Sequence, residues 1–302
     1  MILRVFDVSE YIYAGNRGAD IVRLVEDSAP YRVESLPVGG VRHILREIKR
    51  YHDENTQLVF CMDRIPTFKR QLFDLWWKER GGYKGNRKPK DPDIMIQQSL
   101  AEDILNELGV NVLAKEGYEA DDMIANVVNY YADSYEKIYI HARDSDLYYL
   151  VRDNVEIMPV GHFGKHIDIR NYETTVNCDY NIKYNLSMLH RLGKGGKDNV
   201  PKVSKEDYEK ICDLLDFDSL GSYGDVHKLE EVIIRACGKG SAWRVFRIVA
   251  PWTLELEDVM LFEEELKEDV YQGFMDILDS KRTNISICNE LINNYFDLYG
   301  RR

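Results

Sequence analysis

Cysteine is sparse and badly placed for structural use. Five residues (Cys61, Cys178, Cys212, Cys237, Cys288) are scattered, odd in number and without a C-x-x-C pair. That pattern argues for a reducing compartment and against a disulfide framework or a thiolate zinc site. No run approaches eighteen apolar residues, so no membrane span is expected. The opening "MILRVFDVSEYIYAG" has too short an apolar run, and acids follow too soon, for a signal peptide. It reads better as a buried strand, a turn and a helix. Internal repeats and low-complexity tracts are absent, and the glycines of "LPVGGVRHI" form a turn before a helix and no phosphate loop. What is left is an ordinary globular composition, 44% hydrophobic and 30% charged over 302 residues. That is ample for one large domain or two modest ones.

Positive charge is also in deficit. A net charge of −12 counts against a nucleic-acid partner, whose affinity comes mostly from neutralised phosphates. The deficit is uneven, however. Between positions 64 and 90 stand Arg64, Lys69, Arg70, Lys78, Arg80, Lys84, Arg87, Lys88 and Lys90, against Asp74 and Glu79, whereas "ELEDVMLFEEELKED" (255–269) is strongly acidic. A local basic strip binds phosphates whatever the sum.

Short apolar runs alternate with amphipathic ones over the first two-thirds of the chain. "ILRVF" (2–6), "QLVFC" (57–61), "VNVLA" (110–114), "KIYIHA" (137–142) and "VEIMPV" (155–160) read as strands. "VRHILREIKRYH" (41–52), "IMIQQSLAEDILNELG" (94–109) and "ADDMIANVVNYYAD" (120–133) have helical spacing. This rhythm predicts an α/β fold with a mainly parallel central sheet flanked by helices. From about Asn185 helices dominate, including "KEDYEKICDLLD" and "KLEEVIIRACG", so an α/β unit over 1–184 and a helical region over 185–302 are expected.

In a parallel sheet, function gathers beyond the C-terminal ends of the strands. Asp7 follows the first run, Asp63 the second, and Asp144 and Asp146 follow "KIYIHA". Glu119, Asp121 and Asp122, in "EGYEADDMIANVV", come shortly after "VNVLA". Two readings of that triplet stand side by side. Acids in the first turn of a helix are favoured by its dipole by roughly 0.3–1 kcal/mol each, or they hold a divalent cation. Two carboxylates about 5 Å apart repel by roughly 3 kcal/mol at an effective dielectric near 20, so acids delivered to one edge call for a counter-ion. Oxygen donors without His or Cys suit Mg²⁺, with Mn²⁺ as a substitute, and such ions serve phosphoryl chemistry. His141 reads as a strand residue and not a ligand.

Four blocks, "YKGNR" (83–87), "EGYEADDMIA", "RDSDLYYLV" and "GGKDNVPKV" (195–203), together resemble the signature blocks of the structure-specific 5′ nucleases, in the family's order from about Ile2 to Val203. That family includes flap endonucleases, the 5′ nuclease domain of bacterial DNA polymerase I and phage-encoded 5′→3′ exonucleases or RNase H enzymes. The phage-encoded members are the nearest in length. The resemblance implies a PIN-like 5′ nuclease fold with a basic arch near 64–95. It further implies a metal-dependent 5′→3′ exonuclease or flap endonuclease acting on DNA or RNA·DNA duplexes with a 5′ end or flap. Asp7, Asp63, Glu119, Asp121, Asp144 and Asp146 would surround a first ion or its waters, with Asp122 and Asp198 on a second-metal side. Lys84 would stabilise developing charge, and Arg70, Tyr83, Lys84 and Arg87 would contact substrate. A monomer working in the cytoplasm, that of a bacterial host for a phage gene, completes the expectation, with a replisome protein docked on the C-terminal region.

The chain departs from the family pattern twice. Gly195 stands where an aspartate is usual, with Lys194 and Lys197 nearby, which weakens any second ion and leaves one or two ions open. "DNVPKVSKEDYEKI" lacks the glycines of the family's duplex-gripping turn, so Lys202, Lys205 and a helix N-terminus near Ser204 would form a divergent helix-turn-helix element. An ordinary Ser204–Asp207 cap is the competing reading. The aromatics Phe73, Trp76 and Trp77 suit either base stacking or the buried face of a helix. Two other functions compete: a PIN-type single-strand ribonuclease, and a cleavage-impaired DNA-binding replication module.

Overall fold

A computed structural model describes residues 1–16, 20–25, 32–161, 164–176, 198–215, 226–263, 265–279 and 289–299. Five strands form one all-parallel sheet: β1 (Ile2–Asp7), β4 (Thr56–Cys61), β5 (Asn111–Leu113), β6 (Lys137–His141) and β7 (Val155–Met158), in the order β5-β4-β1-β6-β7. The chain builds outward from β1 to β4 and β5, then crosses back to β6 on the other side of β1. Such a reversal opens a crevice at the C-terminal end of the central strand. Asp7 is the last residue of that strand.

Alternation along the strands supplies two cores. Leu3, Val5, Val59 and Cys61 face Met123, Ile124, Val127 and Val128 of helix α5 (Ala120–Tyr131). Phe6, Leu58 and Phe60 face the other way, onto α1 (Val8–Gly15), α2 (Gly39–Tyr51) and α4 (Pro92–Leu108). In α1 and α2 the glycines permit close approach: a Cβ on Gly40 would sit 2.6 Å from the Ile12 Cα. These glycines therefore lie within helices packed backbone to backbone, and Gly39 and Gly40 open α2 instead of preceding it.

The later helices, α7 (Lys205–Leu214), α8 (Val226–Cys237), α9 (Ser241–Val249), α10 (Glu268–Asp279) and α11 (Asn289–Tyr299), follow the short α6 (Tyr172–Val176). They join the same cores. Ile211, Leu229 and Phe246 belong to the first, and Phe274 and Phe296 to the second. The expected boundary at 184/185 lies outside the described residues. The sequence reading passed over the antiparallel pair β2 (Asp20–Val25) and β3 (Arg32–Pro37), as well as the short α6. Among the described residues no helix is long and apolar enough to cross a membrane.

Candidate active site

The end of β1, the turns after β4 and β6, and the first turn of α5 deliver acids to one cleft of about 380 Å³. Asp7 ends β1 and caps α1, accepting the Glu10 N–H at 3.3 Å. Asp63, two residues past β4, accepts the Ser9 hydroxyl at 2.8 Å and the Ala120 N–H at 3.0 Å. Asp144 caps a 3₁₀ turn (Ser145–Leu150), accepting the Asp146 N–H at 2.9 Å, and Asp146 lines the same cleft. Asp121 projects from the first turn of α5.

Burial, then Asp63 and Asp121, push the Asp7 carboxyl well above the usual range. Burial, then Asp144, Glu119, Asp63 and Asp146, do the same to Asp121. Among the described residues no Lys or Arg pairs with Asp7, Asp63, Asp121 or Asp144. This is an oxygen-only wall whose acids lack a basic partner, and it fits a hard divalent cation, which would favour their charged forms. The side chains share the cleft without collapsing onto one point. Among the described residues, the trio with ligand atoms within 4.8 Å of one another is instead Glu156, His166 and Asp168. That trio carries its own cations: Lys137 on Glu156, and Arg170 on Asp168. The cleft acids are spaced more widely than that trio, and a hard cation that keeps several of its waters tolerates such spacing.

The remaining acids are already paired. Glu119 accepts Lys69 Nζ at 2.9 Å, the Tyr83 hydroxyl at 3.2 Å and Lys84 Nζ. Burial alone would raise its carboxyl, but Lys69 and Lys84 override it and hold the group down at about 2. Asp122, 1% exposed, accepts Lys69 Nζ on both oxygens at 3.1 Å. Asp198 receives a two-pronged Arg87 guanidinium at 2.6 and 2.9 Å.

The loop carrying the cations is pinned to the "DNVP" block. Asn199 Nδ2 donates to the carbonyls of Arg80 and Gly82, and the Lys84 N–H donates to Asp198 O at 3.2 Å. Lys84 itself has φ 59°, a left-handed conformation that costs a side-chain-bearing residue about 1–2 kcal/mol. Gly85 is required beside it, since a Cβ there would meet Gly81 O at 1.9 Å.

Of the residues singled out from the sequence, Asp7, Asp63, Tyr83, Lys84, Arg87, Glu119, Asp121, Asp122, Asp144, Asp146 and Asp198 line the cleft. Arg70 does not: it is exposed on α3 (Thr67–Trp77). Its neighbour Lys69 points inward in its place. Lys202 and Lys205 are exposed outside the lining, and Lys205 pairs with Glu209 at 3.6 Å. Ser204 is a plain N-cap, accepting the Asp207 N–H at 3.0 Å. Phe73 is buried, while Trp76 and Trp77 pack against the core and Trp76 meets Trp243, so they form a helix face and not a stacking platform. Gly195, Lys194 and Lys197 lie outside the described residues. Both readings of the acidic triplet apply, to different residues: Asp122 caps α5 through the Glu119 N–H at 3.1 Å, and Asp121 faces the open cleft.

The family model for the 5′-3′ exonuclease N-terminal resolvase-like domain matches residues 25–178, just over half of the chain. The chain belongs to the 5′-3′ exonuclease family. It is similar to the 5′-3′ exonuclease of Mycoplasmopsis pulmonis, 29% identical over 250 residues that make up 78% of each chain. A second relative of the same name, from Bacillus subtilis, is 28% identical over 64% of this chain and 66% of its own. The DNA polymerase I of Caldicellulosiruptor bescii is 29% identical over 63% of this chain, and the match spans only 24% of that much longer relative. In fold, the chain resembles the bacteriophage T5 flap endonuclease solved with DNA and metal ions, with TM-score 0.52 and 15% identity over 93% of this chain and 100% of that one.

Proposed function

We propose that the protein hydrolyses phosphodiesters as a divalent-cation-dependent 5′→3′ exonuclease or flap endonuclease, with Mg²⁺ as its ion and Mn²⁺ able to replace it. The observation that carries this reading is the cleft itself: uncompensated carboxylates at the strand ends, faced by Lys84 and Arg87. Asp7, Asp63, Asp121, Asp144 and Asp146 would hold the ion or its waters. When bound, the ion supplies activation of water and stabilisation of charge on the phosphate.

The chain's own part is positioning. Ser9 and the Ala120 amide fix the Asp63 carboxylate in orientation. The strained backbone at Lys84 sets its ammonium at the cleft, where it stabilises negative charge developing on the phosphate oxygens. Arg87, oriented by Asp198, offers a planar fork that matches a phosphate. Exposed Arg70, Lys202 and Lys205 serve as backbone contacts away from the reacting bond. The substrate would be a DNA or RNA·DNA duplex with a free 5′ end or flap, processed by a monomer in the cytoplasm.

The test compares Mg²⁺-dependent cleavage of a 5′-flapped DNA with that of single-stranded RNA, for the natural chain and for Asp144→Asn. Cleavage of the flap that Asp144→Asn nearly abolishes, with flap binding retained, is expected. Undiminished cleavage by Asp144→Asn, or turnover of the RNA alone, would overturn the reading.

A further inference from the structure

The cleft holds a positive charge that the reaction does not consume. Lys69 is 5% exposed, and its ammonium has three acceptors for three protons: Glu119 Oε2 at 2.9 Å and both Asp122 oxygens at 3.1 Å. Asp122 is equally full. Its Oδ1 takes Lys69 and the Trp252 N–H at 2.9 Å, while its Oδ2 takes Lys69 and the Glu119 N–H at 3.1 Å. A carboxylate offers about four lone-pair sites, so each one on Asp122 has a donor. A divalent cation reaching Asp122 would have to expel a buried ammonium and break backbone contacts on both sides.

We propose that Lys69 is a resident cation of the active site, neutralising Asp122 and Glu119 where a metal ion would otherwise be required. Asp122 is then a positioning residue that ties Glu119 to Trp252 and ligates no metal. This inference rests on the divalent-cation reading of the cleft and sharpens it: the ions are confined to the side walled by Asp7, Asp63, Asp121, Asp144 and Asp146. Asn126 extends the tie, donating to the Asp122 carbonyl at 2.7 Å and the Trp252 carbonyl at 2.8 Å.

Counting Mn²⁺ bound to the full chain, by paramagnetic resonance of the free ion during titration, tests it. The natural chain is expected to bind Mn²⁺, and Asp121→Asn to weaken that binding at least tenfold. Asp122→Asn should keep the same number of ions with affinity within about threefold. So should the paired variant Asp122→Asn with Lys69→Met, which removes both charges together and guards against a fold made unstable by one of them. Lys69→Met alone should gain one Mn²⁺, taken up at the vacated Asp122–Glu119 place, a result that a merely structural lysine would not produce. Loss of an ion, or tenfold weaker binding, in both Asp122 variants would make Asp122 a ligand and defeat the proposal while leaving the nuclease reading intact. Failure of the natural chain to bind Mn²⁺ at millimolar concentration would instead defeat the divalent-cation reading on which both rest.

Discussion

Asp121 and Asp122 are neighbours in the chain, yet one side of the cleft differs from the other across that single peptide bond. Asp121 stands with Asp7, Asp63 and Asp144, acids that no basic side chain among the described residues neutralises. Asp122 stands with Glu119 and Asp198, each held by lysine or arginine. The contrast separates two ways of making a buried carboxylate tolerable. A protein cation pairs the acid within the fold, whereas an acid without one is available to an exchangeable ion. The Glu156–His166–Asp168 group is of the first kind: Lys137 and Arg170 pair two of its acids, so its tighter spacing needs no ion to be tolerated.

The comparison breaks most visibly at the unpaired side. Asp121→Asn or Asp144→Asn should lower flap cleavage about 10³-fold or more, equivalent to ~4 kcal/mol of transition-state stabilisation, with binding of the flap retained in a gel-shift assay. Lys84→Met, on the paired side but lining the cleft, should cost about 10²-fold in kcat, and excess Mg²⁺ should not restore the rate. Lys69→Met should leave a buried charge without its partner and destabilise the fold by about 3–5 kcal/mol, read as a lowered Tm. Adding Asp122→Asn should recover at least half of that loss, because the orphaned charge goes with it.

The smallest effect lies away from the cleft. His141, fully buried, hydrogen-bonds Tyr11 and Arg4 at 3.1 Å. Arginine can only donate, so the ring accepts at Nε2 and its proton sits on Nδ1, directed at the Tyr11 oxygen. Burial, then Arg4 and Arg50, push the imidazole well below its usual range. The folded ring stays neutral while the unfolded ring takes up a proton below about pH 6.5, so the unfolded state binds more protons. Stability is therefore complete above that pH and should fall as the solution is acidified, by at most about 1.4 kcal/mol per unit. Denaturant unfolding of the natural chain and of His141→Gln at pH 7.5 and 5.5 would measure it, and the variant should show the shallower dependence.

Much of this was legible in the sequence. Strands buried on both faces announced a parallel sheet, and acids placed just beyond them announced its functional edge, because strand ends and turns are local features. Lys69 was not legible. It sits in a run of cations, "FKR", where the family resemblance drew attention to Arg70. A signal did exist: Lys69 and Phe73 are four residues apart on α3 and share its inward face, as the burial of both shows. A lysine in phase with a buried aromatic needs a buried partner. The contribution of Trp252 was beyond reach, since a backbone N–H leaves no trace in residue type. The β2–β3 pair was missed because its strands, "DIVRLV" and "RVESLP", carry charges within runs too mixed to stand out as buried strands.

Diffraction from a crystal soaked in Mn²⁺, with the ions located by anomalous scattering, tests the two-sided cleft most directly. Ions bound on the side of Asp7, Asp63, Asp121, Asp144 and Asp146, with the Lys69 ammonium still seated on Asp122, are the predicted result. An ion coordinated by Asp122 with Lys69 displaced, or a cleft that takes up no ion at all, would contradict it.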